Sequence, residues 1–245
     1  MDEAFRVRTE EELPVYERLG DVREIAVTKG QLADILYSRG ELDEAFRVRT
    51  EEQLPIFERL GDVREIAVTK GKLADILYSR GELDEAFRVR TEEELPVYER
   101  LGDVRSIAVT KGKLAAILAA KGDLAGALRL HEERRPLVEK LKDEDGLIHG
   151  IFNCARLRLR MGPATREDFL KILKDLEEAF ERICRLGRPD GMGAIGVLLG
   201  QVLAGIGAKD RALEVLNVAH AGFRKMGWEK QAQQVADFIR EITNT

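Results

Sequence analysis

The sequence predicts an all-α fold, a solenoid of antiparallel helix pairs, on three observations. A block of 41 residues occurs three times in tandem between Met1 and Asp123, with 36 of 41 positions identical between the first two copies and 32 of 41 between the second and third. Each copy carries two runs of apolar residues at helical spacing, each closed by a glycine. Two helices this short, each with one apolar stripe, enclose no core alone, so neighbouring copies must stack to bury them.

In the middle copy, Leu42 to Glu82, Asp62 stands as an N-cap with Glu65 three residues on. Ile66, Leu73, Ile76 and Leu77 follow at helical spacing, and the first helix ends at Ser79 before Gly81. The second helix starts after Gly81 and runs to Leu101, where Gly102-Asp103 is both a stop and the next cap. Pro96 lies well inside it, lacks a backbone donor and crowds the carbonyl four residues back, so a kink is expected there and at Pro14 and Pro55. Exposed pairs such as Arg47 with Glu51 lie at i,i+4 and add a few tenths of a kcal/mol each.

Beyond Asp123 the repeat decays but stays legible. Leu124-Ala-Gly-Ala127 echoes Leu83-Asp-Glu-Ala86, and Gly207 to Leu213 is a last echo. The predicted division is one solenoid over residues 1–245: units 1–41, 42–82, 83–123 and 124–162, degenerate units 163–207 and 208–227, and a capping helix over 228–243. In that helix Trp228, Ala232, Val235, Ala236, Ile239 and Ile242 make one apolar stripe with a polar face opposite. About 12 residues are inserted between Gly162 and Ala179, where Thr165-Arg-Glu-Asp168 forms a capping box opening an extended helix to Leu186, either a contact surface or a spacer. Met1 stands where the later copies have Leu42 and Leu83, so the chain is expected to be a piece of something longer, with an open edge for another domain or a second copy.

Leu199-Gly200, Leu203, Gly207 and Ala212 reproduce the spacing of a tetratricopeptide repeat, and Leu73-Ala74, Leu77, Gly81 and Ala86 do so with alanine for the first glycine. The chain resembles that family over nearly its whole length. Its units are longer than the common form, and Lys70 stands where the family has an aromatic residue. In wording they are similar to the longer-unit class of kinesin light chain and of the sensor arrays of large bacterial signalling NTPases. The resemblance implies a right-handed superhelix whose first helices line a concave groove. Carried over unit by unit, the groove positions are Gln31, Asp34, Tyr37 and Ser38, then Lys72, Asp75, Tyr78 and Ser79, then Lys113, with Asn153, Arg156 and Arg160 continuing where the register slips. Three of the differences between the second and third copies, at residues 116, 119 and 120, fall on this face. Chaperone-type members hold a terminal carboxylate with lysine and asparagine; here Asp34 and Asp75 would repel such a tail.

Other chemistries find little purchase. Net charge is −5, −7 over residues 1–123 and +2 over the rest, which is no nucleic-acid footprint. No apolar run of membrane-spanning length and no secretory signal occur, so the expected compartment is the cytoplasm. Cys154 and Cys184 read as buried thiols, and His131, His149 and His220, far apart in sequence, as neither ligands nor catalysts. Gly191-Met-Gly193-Ala-Ile-Gly196 matches a dinucleotide fingerprint but follows a helix and a loop rather than a strand, so close helix packing explains it better. Glu10 to Glu12 and Glu51-Glu52 read as solvated faces, and no cofactor or metal is implied.

The expected function is a non-catalytic scaffold that binds a peptide or partner helix in the groove, as the sensor or adaptor segment of a larger bacterial signalling protein. Replacing Tyr37, Tyr78, Asp34 and Asp75 by alanine is then expected to abolish capture with an unchanged melting temperature. The alternative is a self-assembling module joined through the N-terminal edge. An enzyme or small-ligand sensor using the cysteines and the Arg156 to Arg160 stretch is the third reading.

Overall fold

The computed structural model describes residues 2–244, the side chain of Asp2 apart; Met1, which opens the first predicted unit, lies outside the described residues. Among the described residues there are twelve helices and no strand. They are α1 (residues 2–19), α2 (Val22–Ser38), α3 (42–60), α4 (Val63–Ser79), α5 (83–101), α6 (Val104–Lys121), α7 (Leu124–Lys140), α8 (Glu144–Met161), α9 (Arg166–Leu186), α10 (Pro189–Gly205), α11 (Lys209–Lys225) and α12 (Glu229–Asn244). None is long and apolar enough to cross a membrane. The chain divides into two compact units, one up to Leu130 and one from His131 onward, and each is described by itself.

In the first unit the capping aspartates act as expected. Asp21, Asp62 and Asp103 accept from the backbone N–H of Glu24, Glu65 and Ser106 at 3.0 to 3.1 Å. Two clusters repeat with the period of the sequence. Ala33, Leu36, Ala45 and Val48 are closed by Ile76 from the next first helix, and Ala74, Leu77, Ala86 and Val89 by Ile117. The core is thus shared between consecutive copies, as stacking requires.

The prolines act differently from a simple kink. In α1, α3 and α5 the six residues Val7–Glu12, Val48–Gln53 and Val89–Glu94 form π-helical turns just before Pro14, Pro55 and Pro96. A π turn holds one residue more than an α turn. The fourth copy supplies the control: from Leu124 to Pro136 it is one residue shorter than from Leu83 to Pro96, and α7 runs as regular α-helix through its proline. The widened turn is a one-residue insertion, and its loss accounts for the register slip seen in the sequence.

In the second unit the Thr165–Asp168 capping box forms in both directions, at 3.1 and 3.0 Å, and opens the 21-residue α9. The glycine-rich stretch is a packing device. A β-carbon on Gly193 would stand 2.4 Å from the Phe223 ring, and one on Gly222 would stand 2.7 Å from the Pro189 carbonyl oxygen, so α10 and α11 meet nearly backbone to backbone. The capping helix α12 buries Ala232, Val235 and Ile242 against Leu216 and Phe223.

Each second helix of the first unit ends on a left-handed glycine, at φ 64° for both Gly61 and Gly102; at the matching place α7 is followed by Lys142 at φ 53°. That conformation costs a side-chain-bearing residue about 1–2 kcal/mol, partly offset by the greater freedom glycine loses on folding. Lys142→Gly is therefore expected to raise stability by about 0.5–1 kcal/mol and Gly61→Lys to lower it by a similar amount, read from denaturant unfolding midpoints.

Candidate partner-binding surface

The candidate residues of the first unit lie on α2, α4 and α6, and hydrogen bonds tie them into one row. Asp34 Oδ1 accepts from Lys72 Nζ of the following copy at 2.9 Å, and Asp75 Oδ1 from Lys113 Nζ at 2.9 Å. Lys72 and Asp75 stand one turn apart on α4, yet each finds its partner in the neighbouring copy. Tyr37 Oη and Ser79 Oγ share a hydrogen bond of 2.7 Å, again between copies. Gln31 Oε1 accepts from Arg8 Nε at 2.8 Å, and Ser38 Oγ turns back to donate to the Ile35 carbonyl at 2.7 Å. Tyr78 has no serine opposite, because the third copy carries Ala120 in place of Ser79. Tyr37 and Tyr78 keep 37% and 40% of their surface in solvent, enough apolar area to serve a partner.

Beneath this row runs a polar layer that sequence reasoning missed. Arg49 Nη2 donates to Asp34 Oδ1 at 2.7 Å and to the Gly30 carbonyl at 3.2 Å, and Nη1 to Gln53 Oε1 at 2.8 Å. In the next copy Arg90 donates to Asp75 at 2.7 Å, to the Gly71 carbonyl at 3.1 Å and to Glu94 Oε2 at 2.7 Å, while Thr110 Oγ1 donates to Glu94 Oε1 at 3.0 Å. Both arginines are buried, at 3% and 2% exposure. Burial pushes the Arg49 guanidinium down and, against the pull of Arg90, the Glu94 carboxyl up. All three belong to the π turns and lie on the face that packs between helices. The available signal was the arginine seven residues after each opening leucine, paired with Gln53 or Glu94 two residues before the proline.

In the second unit Asn153 is buried, donating to the His149 carbonyl at 2.9 Å and accepting from Arg156 Nη2 at 2.9 Å, whereas Arg156 and Arg160 are exposed. His131 and His149, eighteen residues apart in sequence, come together with ring centroids 6.5 Å apart. Burial, helped by His149, Arg134 and Arg156, pushes His131 down to about 4, so it is neutral at pH 7. Burial raises both cysteines, Cys154 to about 11.

No protein-family model matches the chain, and no curated protein matches it in sequence. Solved structures do. BtubC (BKLC) from P. vanneervenii matches at TM-score 0.65 and 18% identity over 99% of this chain and 89% of that one. A Signal Transduction ATPase with Numerous Domains with a tetratricopeptide repeat sensor, from Pyrococcus horikoshii, matches at 0.64 and 13% over 90% of this chain and 37% of that one. The fold is of the tetratricopeptide type. A Rap conjugation gene regulator of plasmid pLS20, in complex with the Phr* peptide, has the same fold at TM-score 0.64 and 12% identity over 86% of this chain and 56% of that one. So has a protein named aspartyl phosphate phosphatase F, from Bacillus subtilis, at 0.69 and 12% over 94% and 64%. This chain spans little more than a third of the sensor protein and under two thirds of the last two.

Asp34 and Asp75 hold buried arginines and so cannot be removed at no cost in stability, contrary to the expectation from sequence. Asp75→Ala should lower unfolding stability by about 1–3 kcal/mol, because it strips Arg90 of a charged acceptor. Lys113→Ala, half exposed in a surface pair, should change it by less than about 1 kcal/mol. Equal losses in chemical denaturation would contradict this ordering.

Proposed function

We propose that the chain is a non-catalytic protein-interaction scaffold that holds an extended peptide or a partner helix against the row on α2, α4 and α6. In this reading it works in the cytoplasm, as the sensor or adaptor segment of a larger bacterial signalling protein. The observation that carries it is the row itself: Asp34 and Asp75 each already engaged by a lysine of the next copy and a buried arginine, with Tyr37 and Tyr78 standing half open beside them. A partner laid along such a face meets no bare carboxylate in it, and it gains aromatic area at low entropic cost. At α6 the row gives way to Ala116, Ala119 and Ala120, so the third copy offers a narrower and more apolar footing than the first two. The complex of a Rap regulator with the Phr* peptide supports peptide binding by this fold. The raised cysteine pKa values support a role without nucleophilic chemistry.

Selection of binders from a random peptide library, followed by titration against Tyr37→Ala/Tyr78→Ala, tests the surface. Affinity should fall about tenfold or more with the melting temperature held. Binders insensitive to both tyrosines would place recognition elsewhere.

One observation favours the second reading, self-association through the first helix. Leu19 is 72% exposed where its counterparts Leu60 and Leu101 are 47% and 48% exposed, and the residues of α1 from Val7 to Leu19 include no buried one. If this face assembles copies, light scattering should show mass growing with concentration, and Leu19→Glu should return the protein to monomer.

A further inference from the structure

The second unit contains a cavity of about 190 Å3 between α7, α8 and α9, separate from the row on α2, α4 and α6. Val138, Leu147, Ile151 and Cys154 form its apolar wall, and His131 and Arg134 reach it from α7. His131 is 6% exposed and its Nδ1 meets no hydrogen-bond partner. A buried polar atom left so is costly, and native structures tolerate few of them. The two acidic side chains at the rim are taken by one cation, with Arg158 donating to Glu132 at 2.8 Å and to Asp175 at 2.7 Å.

The repeat shows what normally fills such a place. Counted from the opening leucine of each second helix, His131 holds the position of Arg90; counted from the proline, Arg134 holds that of Glu94. Counted from the capping aspartate of each first helix, Gly150 holds that of Thr110. In the regular copy these three residues pack together, and the centre of the cluster is a carboxylate that receives Arg90 and Thr110. In the second unit the carboxylate is replaced by a guanidinium, the arginine by a smaller imidazole and the threonine by no side chain at all.

Packing does not demand the glycine. A β-carbon on Gly150 would have as its nearest neighbour Arg134 Nη1, at 3.8 Å, which is ordinary contact. A helix-interior glycine costs about 0.5–1 kcal/mol relative to alanine, and here its effect is to keep the space open.

We infer that this cavity binds a small monocarboxylic acid with a compact apolar body, its carboxylate meeting Arg134 and His131 on the α7 side. Arg134 supplies the charge and His131 the hydrogen bond, while the ring or short chain lies on Val138, Leu147 and Ile151. The volume suits one six-membered ring, since a cavity of about 150 Å3 accepts benzene.

Benzoate is the probe and benzyl alcohol its uncharged control, titrated calorimetrically and by thermal shift into the full chain. Benzoate should bind saturably and raise the melting temperature, with the alcohol at least about tenfold weaker. Gly150→Leu, which fills the space, and Arg134→Gln should each lose at least about tenfold in benzoate affinity. Should Gly150→Leu fail to fold, Gly150→Thr restores the side chain of the regular copies and should weaken binding likewise. Absence of saturable binding up to about 10 mM benzoate, or equal affinity in wild type and the cavity variants, overturns the assignment; the latter would mean an exposed arginine such as Arg156 is the site.

Discussion

Ile76 and Ile117 carry the constraint on which the first unit depends. Each is all but fully buried, and half of the cluster it completes, Ala33 and Leu36 or Ala74 and Leu77, comes from the preceding copy. Burying an isoleucine is worth about 1.5–3 kcal/mol, and here that energy exists only when consecutive copies are in register. The same register brings Asp34 to Lys72, Asp75 to Lys113 and Tyr37 to Ser79. The candidate binding row is therefore a consequence of core packing: its side chains are spaced by the stack and cross-linked by it.

The proline of each second helix links backbone to site. Without its N–H the proline leaves a carbonyl one turn earlier without its usual donor, and the extra residue of the π turn lies just there. Arg49 and Arg90 stand at the start of that turn, four residues after the buried Ala45 and Ala86, and point between helices rather than into solvent. An arginine so placed needs acceptors, and it finds them in a glycine carbonyl and an aspartate of the preceding first helix. Asp34 and Asp75 consequently face two ways, anchoring a buried guanidinium on one side and an exposed lysine on the other.

Helix limits, aspartate caps, the Thr165 capping box and the packing role of the glycine-rich stretch were legible because each is set by residues three or four apart. The pairing of the groove residues was not, since Lys72 and Asp75 sit at an intrahelical spacing that looks sufficient while their partners lie 38 residues away. The buried arginines were hidden for a different reason. Residue type argues for solvent, yet the seven-residue step from Leu42 puts Arg49 on the same face of the helix as that leucine, four residues after the buried Ala45. His131 and His149 looked isolated because their meeting depends on how α7 returns along α8, which no local pattern encodes.

The fourth copy shows how a structural position becomes free for other use. Regular copies carry the extra residue, the buried arginine, an acceptor two residues before the proline and a threonine across from it. Remove the extra residue and the π turn disappears; with it goes the geometry that satisfied an arginine at this point, and a neutral imidazole replaces the cation. The second partner has become Arg134, which turns to the Gly146 carbonyl at 3.1 Å, and the third is Gly150. Because a solenoid is stabilised unit by unit, such a change weakens one interface and leaves the others intact. A cluster that holds the stack together in one copy can thus be emptied in another, and what it leaves is a space lined by the same positions.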